Sequence, residues 1–302
     1  MRRLLIYMLL IFTSCATFAQ TYFDIANKRK HIAECKIKEK SYYEYTVING
    51  KVLDSTLTMQ ESFDPKGYLT ETKSQYLEIV YNYDANGNLT KEIHKIKNKE
   101  FEIILFKHDS KGNMIEQKTF VGLPESRDKY DLNKSKYIST IKYDYNVDNE
   151  LIRGYSINSN GLISQDFRYE YKTKGLGKDV KRIVNRYYEK DTLKSIEVFY
   201  KNNSSKLYIV EKGKRKLDSE SFFNVKHQII KAIEYNYIQH HRDDRSIMDI
   251  LKSKEAPPKQ SISSVANRFY VYNKNGDESE LLTYKNEQLV EEMKFYYKYY
   301  DK

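Results

Sequence analysis

A repeated unit of an aromatic residue, any residue and a tyrosine is the feature that most limits how this chain can fold. The unit occurs six times, at positions 81–83, 143–145, 169–171, 235–237, 270–272 and 295–297. In the clearest copy it leads directly into the polar run Asp84–Asn88, in which Asn86 and Gly87 tolerate the positive φ of a tight turn. Aromatic strand ends followed by turns, repeated along a chain, predict an array of β-hairpins.

The middle of the chain shows the strands most clearly. Apolar and aromatic residues alternate with polar ones over Leu77–Tyr83, and further apolar runs follow at Leu89–Ile96, Phe101–Phe106 and Met114–Phe120. Turn-forming residues separate these runs, as in Asp109–Asn113. One strand and its turn recur about every 12 residues, which is typical of an antiparallel meander.

The same turn recurs in weaker form elsewhere. The weaker copies keep part of the aromatic, polar or glycine content of the first, and they lie at Phe63–Leu69, Tyr145–Leu151, Ile157–Leu162, Ile196–Ser205 and Tyr272–Asp277. Residues 122–135 are polar and charged and contain a proline, so we expect a long loop there. Met293–Tyr300 is predicted to be a terminal strand.

Residues 238–265 interrupt the repeat and are predicted to be an insertion between two hairpins. Within them Ser246–Lys254 has the cap and the apolar spacing of a short helix, which a pair of prolines would end. Because the repeat resumes at Arg268, we expect residues 20–302 to form a single domain. The lysine-rich residues 21–40 begin with either a frayed arm or a short helix.

The N-terminus has the composition of a secretory signal peptide. Two arginines precede the apolar run Leu4–Phe12, which is too short to span a bilayer as a mature helix, and Thr17–Ala19 offers small residues at a cleavage point. We therefore expect residues 1–19 to be removed and the mature chain to be exported without a transmembrane span. The alternative to cleavage after Ala19 is a lipid anchor at Cys15, which lies in a loosely lipobox-like sequence.

The charge of the chain indicates which partners it could bind. Removing residues 1–19 removes two arginines and no acids, so the formal charge falls from +10 to +8. The lysines are dispersed along the chain, which favours a solvated strand face over a nucleic-acid site.

Only Cys35 remains after cleavage, so no internal disulfide forms. A catalytic role for Cys35 would need a base beside it, and we expect a half-buried structural residue instead.

The run Tyr83–Leu89 resembles the YD repeat of the RHS/YD-repeat proteins. Phe63–Leu69 shares the pattern, and His108–Met114 and Tyr272–Gly276 share it more loosely. The resemblance covers roughly residues 63–297. It implies sheets built of β-hairpins, which in long members of that family coil into a shell around a toxin or bind extracellular sugars. This chain has too few repeats to close such a shell, so the resemblance implies a hairpin fold and an extracytoplasmic binding or structural role.

The candidate metal and catalytic motifs are weak. Asp84, Asn86 and Asn88 have the spacing that begins a calcium loop, but the twelfth position holds Lys95 where an EF-hand needs glutamate, so a turn bonded to its own backbone is favoured. His240–Asp244 is the densest group of potential metal ligands, but it lacks the spacing of a metal site. No GxSxG, P-loop or GxGxxG motif is present. We therefore predict no catalytic residue, metal or cofactor, and the ligand-binding residues stay unassigned.

The fold that follows is all-β. We predict an antiparallel meander of YD-like hairpins forming an extended curved sheet or an open half-barrel, with one short helical insertion. A fully closed barrel is disfavoured because the strand spacing is uneven. The tyrosines are expected to form the inward, packed face of the hairpins, because a single layer must curve to bury one side.

Three functional hypotheses remain open. The first is a non-catalytic protein of the bacterial cell envelope or secretome that binds a glycan or another protein. The second is a structural or assembly component of the envelope, met by a partner at an unpaired sheet edge. The third is an exported hydrolase that uses the insertion at residues 238–265. The final location is the periplasm, the outer-membrane surface or the medium.

Overall fold

The computed structural model describes residues 28–49, 51–96, 101–122, 135–189, 192–211, 213–226, 228–239 and 260–300. The predicted signal peptide, Cys15 and the cluster His240–Asp244 lie outside these residues, as does the predicted helix Ser246–Lys254. Residues 28–34 form a short helix, α1, which agrees with the second option for the start of the mature chain.

The described residues after α1 form 18 β-strands. In chain order they are β1 Ile37–Ile48, β2 Lys51–Phe63, β3 Leu69–Ser74, β4 Leu77–Tyr83, β5 Leu89–Ile96, β6 Phe101–His108, β7 Met114–Gly122, β8 Lys136–Tyr145, β9 Leu151–Asn158, β10 Ile163–Lys172, β11 Val180–Tyr188, β12 Thr192–Tyr200, β13 Ser204–Glu211, β14 Lys214–Phe223, β15 Ile229–Gln239, β16 Gln260–Tyr272, β17 Glu278–Lys285 and β18 Gln288–Tyr299. Each strand pairs antiparallel with the next along the chain, so the predicted meander is confirmed.

The sheet closes on itself, and the prediction of an extended sheet or open half-barrel is wrong. β18 pairs with β1 from Ile37 opposite Tyr299 to Tyr45 opposite Glu292, which completes an 18-stranded barrel. The uneven spacing of the strands along the sequence predicts that the barrel does not close. Register shifts absorb that unevenness, because most of the ladders contain a bulge or irregularity that adds a residue to one strand.

The boundaries of the predicted insertion also change. β15 continues to Gln239 and β16 begins at Gln260, so the two ends of residues 238–265 belong to strands that pair with each other. Only residues 240–259 lie between them, and these are outside the described part of the chain.

Seven of the turns share one hydrogen-bond pattern built on an Asp or Asn. In the turn that begins at Asp84, its Oδ1 accepts the backbone N–H groups of Asn86 at 2.9 Å and Asn88 at 2.8 Å, and the Gly87 N–H donates to the Asp84 carbonyl at 3.0 Å. Gly87 has φ +82°, where glycine carries no steric penalty. The seven turns begin at Asp64, Asp84, Asp109, Asn146, Asn158, Asn224 and Asn273.

This pattern accounts for the calcium-like spacing at Asp84. Its second carboxylate oxygen accepts the Asn88 side-chain amide at 2.9 Å, so both oxygens are engaged inside the turn. These hydrogen bonds, the one from the Asn88 side chain first, hold the pKa of Asp84 below its usual value. The turn therefore needs no ion to organise it.

The tyrosine that closes each aromatic-x-tyrosine unit ties neighbouring strands together. In every copy whose tyrosine side chain is described, its hydroxyl donates to the backbone carbonyl of the first residue of the preceding strand. The five bonds run from Tyr83 to Leu69 (3.0 Å), Tyr145 to Met114 (2.9 Å), Tyr171 to Leu151 (2.7 Å), Tyr272 to Ile229 (2.8 Å) and Tyr297 to Glu278 (2.6 Å). Burial raises the pKa of Tyr171 to about 12, so the hydroxyl keeps its proton as a donor. In these five copies the repeat thus supplies a cross-strand hydrogen bond, here called the tyrosine tie, at the end of a strand pair.

These tyrosines lie on the inner face of the barrel, as expected. Residues that face each other across a ladder point to the same side, and helix α1 packs on the side that we define as inner. Paired positions on this side continue around the barrel from Tyr297 through Lys40, Glu61, Thr72, Ile79, His94 and Glu102. A buried cluster of Ile141, Tyr143, Leu151, Phe167 and Tyr169 fills the inner face farther round. The interior of the barrel therefore contains both aromatic and charged side chains.

The outer face carries cross-strand ion pairs. Arg153 binds both carboxylate oxygens of Asp166, at 3.0 and 2.8 Å, and Lys206 contacts Glu220 at 2.8 Å. This matches the expected solvated, lysine-bearing strand face. Among the described residues, no helix is long and apolar enough to cross a membrane.

Removing one tyrosine tie should lower stability measurably. Tyr83→Phe deletes the 3.0 Å bond to the Leu69 carbonyl but keeps the ring, so we expect the free energy of unfolding to fall by about 1 kcal/mol. Tyr76→Phe is the control, because Tyr76 is 66% exposed and should change stability by less than about 0.5 kcal/mol. Urea denaturation followed by circular dichroism measures both, and equal effects would contradict the tie.

Candidate functional site

Helix α1 lies at the end of the barrel where β18 meets β1. Ile32 on the helix is 6% exposed and packs with Ile37 and Phe63. The chain leaves the helix through Lys36, whose φ of 55° is typical of a helix C-terminus, and the Lys36 carbonyl accepts the N–H of Tyr300 at 2.8 Å. Helix α1 is therefore fixed to the last residues of the chain at the seam of the barrel.

The turn between β2 and β3 allows the helix to come this close. A Cβ atom at Gly67 would lie 2.2 Å from the carbonyl oxygen of Arg29, so only glycine fits beneath the helix backbone. The guanidinium of Arg29 stacks 4.4 Å from the ring centre of Tyr68, the next residue of that turn. Helix α1 thus packs on two neighbouring turn residues, Gly67 and Tyr68.

A pocket of about 440 Å³ opens between the helix and the barrel wall. Residues from both ends of the chain line it: Lys28, His31, Ile32, Ile37, Lys40, Phe63, Lys226, Gln228, Ile229, Tyr270, Tyr272, Asn275, Gly276, Asp277, Glu278 and Tyr297. We call it the mouth pocket. Its volume is within the range of small-ligand sites, and its lining combines aromatic rings with converging polar groups.

Hydrogen bonds hold the polar wall of the mouth pocket in place. His31 Nε2 lies 2.7 Å from Oδ1 of Asp277, whose side chain is 4% exposed. Gln228 donates its side-chain amide to the Gly276 carbonyl at 2.8 Å. These two contacts connect helix α1, the turn before β15 and the turn before β17. The wall is preorganised by three separate parts of the chain.

Lys40 forms the floor of the pocket. Its ammonium lies 4.4 Å from the ring centre of Phe295 and 4.6 Å from that of Tyr42, and it donates to Glu278 at 3.2 Å. Burial lowers the pKa of Lys40, and the attraction of Glu278 opposes that shift. Lys40 is thus a structural cation that already has its aromatic and acidic partners.

Two other lysines in the pocket remain available to a ligand. Lys28 on the helix and Lys226 on the turn before β15 form no ion pair with any of the described residues. The hydroxyls of Tyr272 and Tyr297 are occupied by backbone carbonyls, so these residues contribute ring surface rather than new donors. The pocket offers aromatic surface beside two free positive charges.

Cys35 has a histidine beside it, as a catalytic role would require, but the thiol is not activated. Its sulfur lies 3.8 Å from both ring nitrogens of His31, without a preferred hydrogen bond to either. Burial raises the pKa of the Cys35 thiol, and the charges of Asp277 and Glu34 raise it further. Cys35 packs at the margin of the cluster around Ile32, which agrees with the expected half-buried structural residue.

A second charged group lies on the inner face away from the pocket. His94 contacts Glu92 through Nε2 at 2.8 Å and Glu102 through Nδ1 at 3.3 Å. Burial by itself would lower the pKa of His94, but hydrogen bonds to Glu102 and Glu92 outweigh it and raise the pKa to about 9. No group of three or more metal-ligating side chains with suitable geometry occurs within the described ranges.

Sequence reasoning did not find the mouth pocket. It joins residues 28–40 to residues 226–297, and His31 and Asp277 are 246 positions apart. The nearest signals were the last good copy of the turn, which contains Asp277, and the lysine-rich start of the mature chain. The cluster His240–Asp244, where we would first have looked for catalysis, lies outside the described residues.

Comparisons with known proteins give no family. No family model and no curated protein matches the chain. Among solved structures, a porin-like protein from Bacteroides uniformis is 8% identical over 87% of this chain and 97% of that chain, with a TM-score of 0.36.

Two further solved structures are similar at a lower level. The TcdB2-TccC3 structure is 10% identical over 79% of this chain and 16% of that chain, with a TM-score of 0.21. A putative outer membrane lipoprotein-sorting protein domain from Vibrio parahaemolyticus is 11% identical over 92% and 93%, with a TM-score of 0.17. All three TM-scores are lower than two chains of one fold give.

Gly67→Ala should release helix α1. The added methyl group cannot fit against the Arg29 carbonyl, so we expect a loss of about 2 to 4 kcal/mol and faster labelling of the Cys35 thiol by a thiol reagent. Gly161→Ala is the matched control, because Gly161 has φ +79° in a turn of the same type but no atom within 4 Å of the added carbon. It should cost about 1 kcal/mol and leave thiol labelling unchanged. Equal labelling rates would show that Gly67 does not seat the helix.

The His94 group should make stability depend on alkaline pH. The folded-state pKa of about 9 lies above the ordinary 6.5, so the protonated form stabilises the fold fully below pH 6.5 and loses this effect as pH rises through 9. Relative to His94→Gln, we expect the native chain to be more stable by about 3 kcal/mol at pH 6, and the difference to vanish near pH 10. Urea denaturation of both proteins across this range measures the difference, and a constant value would contradict the assignment.

Proposed function

We propose that this protein is a non-catalytic, exported binding protein of the bacterial cell envelope or secretome. In this proposal the mouth pocket binds a glycan that carries a carboxylate. The observation that carries the proposal is one pocket that places the rings of Tyr270, Tyr272 and Tyr297 beside the free ammonium groups of Lys28 and Lys226.

The aromatic side of the pocket suits a sugar ring. The C–H faces of a pyranose are apolar and pack on aromatic rings, while its hydroxyls need polar partners at the edge. Tyr272 and Tyr297 are held rigidly by their carbonyl ties, so ordering them costs little on binding. Asn275 is an exposed residue of the pocket lining and carries an amide of the kind that sugar hydroxyls bind.

The charged side of the pocket favours an acid. Three lysines line the pocket against the two carboxylates of Asp277 and Glu278, and of these lysines Lys40 already pairs with Glu278. The remaining Lys28 and Lys226 give the pocket an excess of positive charge, and a lysine binds a carboxylate by a charge-assisted hydrogen bond. A uronic acid within an oligosaccharide combines the ring and the charge that this arrangement would recognise.

The predicted export and the resemblance to the RHS/YD-repeat proteins also support the proposal. The predicted signal peptide supports an extracytoplasmic location, where glycans of the envelope are within reach. The resemblance to the RHS/YD-repeat proteins, some of which bind extracellular sugars, points the same way and remains a prediction.

Calorimetric titration of the mature chain with matched acidic and neutral oligosaccharides tests the proposal. Uronic-acid oligosaccharides should bind more tightly, and Lys226→Gln should weaken that binding about tenfold by removing one charged contact. Tyr270→Ala should weaken binding of both classes. Lys298→Gln is the charge-matched control, because Lys298 pairs with Glu39 on the outer face, with 70% of its side chain exposed, and should change nothing.

Two results would contradict the proposal. The pocket does not bind glycans if neither class binds at any concentration used. Charge recognition is wrong if the acidic and neutral oligosaccharides bind equally, or if Lys226→Gln and Lys298→Gln have the same effect.

A further inference from the structure

The hairpin of β1 and β2 extends past the rim of the barrel and leaves one strand edge open. β2 pairs with β1 from Lys51 to Ser62, but it pairs with β3 only from Met59 onward. Residues 51–58 therefore have a second edge that no other described strand occupies. The hairpin of β15 and β16 overhangs in the same way, because residues 235–239 and 260–265 pair only with each other. Residues 51–58, which we call the overhang, form the longer open edge of the two.

The overhang is both exposed and apolar. All of residues 51–57 are exposed, including Val52 at 44%, Leu53 at 62% and Leu57 at 44%. Natural sheets protect free edges with proline, with lysine or by covering them. This stretch has no proline, and Lys51 at its start is its only lysine. An open edge with apolar side chains is a template for the addition of another strand.

We propose that this edge pairs with the same edge of a second copy of the chain, forming a twofold antiparallel dimer through β2. In such a dimer a residue on one strand faces a residue of the same parity on the other, since a twofold axis perpendicular to the sheet keeps each side chain on its own face. The axis must therefore pass through a single residue position of the open edge.

The side chains select Ser55 as that position. An axis at Asp54 would oppose two like charges, and an axis at Leu53 would set Val52 against the partner's Asp54. With the axis at Ser55, Leu53 faces the partner's Leu57 twice, and Asp54 faces the partner's Thr56, which can donate a hydroxyl hydrogen bond. No like charges meet, and the pairing can extend from Val52 to Thr58 of the open edge.

The local pairing with β1 supports this position. Asp54–Leu57 pair regularly with Tyr43–Thr46, and register shifts lie on either side of this run. The straightest part of the overhang is thus the part centred beside Ser55. Bulges twist a strand and limit the length that can be paired, so the dimer should be reversible and dependent on concentration.

A pair of double variants tests the dimer and its register by sedimentation velocity of the mature chain. The native chain should show a monomer–dimer equilibrium that shifts to dimer with concentration. Leu53→Lys with Leu57→Lys should abolish the dimer, because each substituted position faces a like charge. Leu53→Lys with Leu57→Glu should retain it, because each substituted position then faces an opposite charge.

Both variants change the same two exposed positions outside the barrel wall, so their thermal unfolding should match that of the native chain. The proposal is overturned if the native chain stays monomeric at every concentration. It is equally overturned if the Lys/Lys variant still forms a dimer, or if the Lys/Glu variant dissociates as fully as the Lys/Lys variant does.

Discussion

The ladder between β18 and β1 is the contact on which the rest of this structure depends. It joins the two ends of the described chain and turns a meander with two open edges into a closed barrel. Closure creates an inside, where the tyrosines, Lys40 and the His94 group are removed from water. It also creates the seam on which helix α1 lies. Without this pairing, His31 would not lie beside Asp277, and the lining residues from the two ends of the chain would not meet around the mouth pocket.

The units that are joined in this way are built locally. In seven turns an Asp or Asn accepts two backbone N–H groups of its own turn, as Asp84 does. In three of these, the tyrosine just before the turn, which is Tyr83, Tyr145 or Tyr272, also donates to the first carbonyl of the preceding strand. The first contact fixes the turn and the second fixes how far the neighbouring strands slide past each other. A slip of one residue would move the side chains of a strand to the other face of the sheet, so the tyrosine tie gives five copies of the sequence unit a common role in fixing register.

The balance of polar and aromatic groups inside the barrel links the fold to the proposed binding. Buried charges need partners, and the interior supplies them in pairs such as Lys40 with Glu278 and His94 with Glu92. The cations in the mouth pocket that lack such a partner among the described residues are therefore set apart from the structural ones. That contrast, more than the size of the pocket, is the reason why the proposed binding is assigned to Lys28 and Lys226.

Much of the local structure could be predicted, and the global structure could not. Alternation and turn chemistry located Leu77–Tyr83 and Leu89–Ile96 with the bounds that the structure has, and the tyrosines were assigned to the inward face. Closure was predicted wrongly, because uneven spacing looked incompatible with it and bulges are not visible in a sequence. The site was missed because Gly67 is a turn residue in the sequence, and only the structure shows Arg29 packed against it.

The sequence by itself determined the repeating hairpin, since turn propensity, side-chain alternation and the tyrosine tie act between residues close along the chain. Only the tertiary structure decided that the first and last strands meet, that α1 covers the seam and that a pocket forms beneath it. The physical reason is distance along the chain. The pairing of Ile37 with Tyr299 and of His31 with Asp277 depends on the summed twist and bulges of all the strands between them. A local sequence pattern does not predict the total twist of all these strands, so it does not predict which distant residues meet.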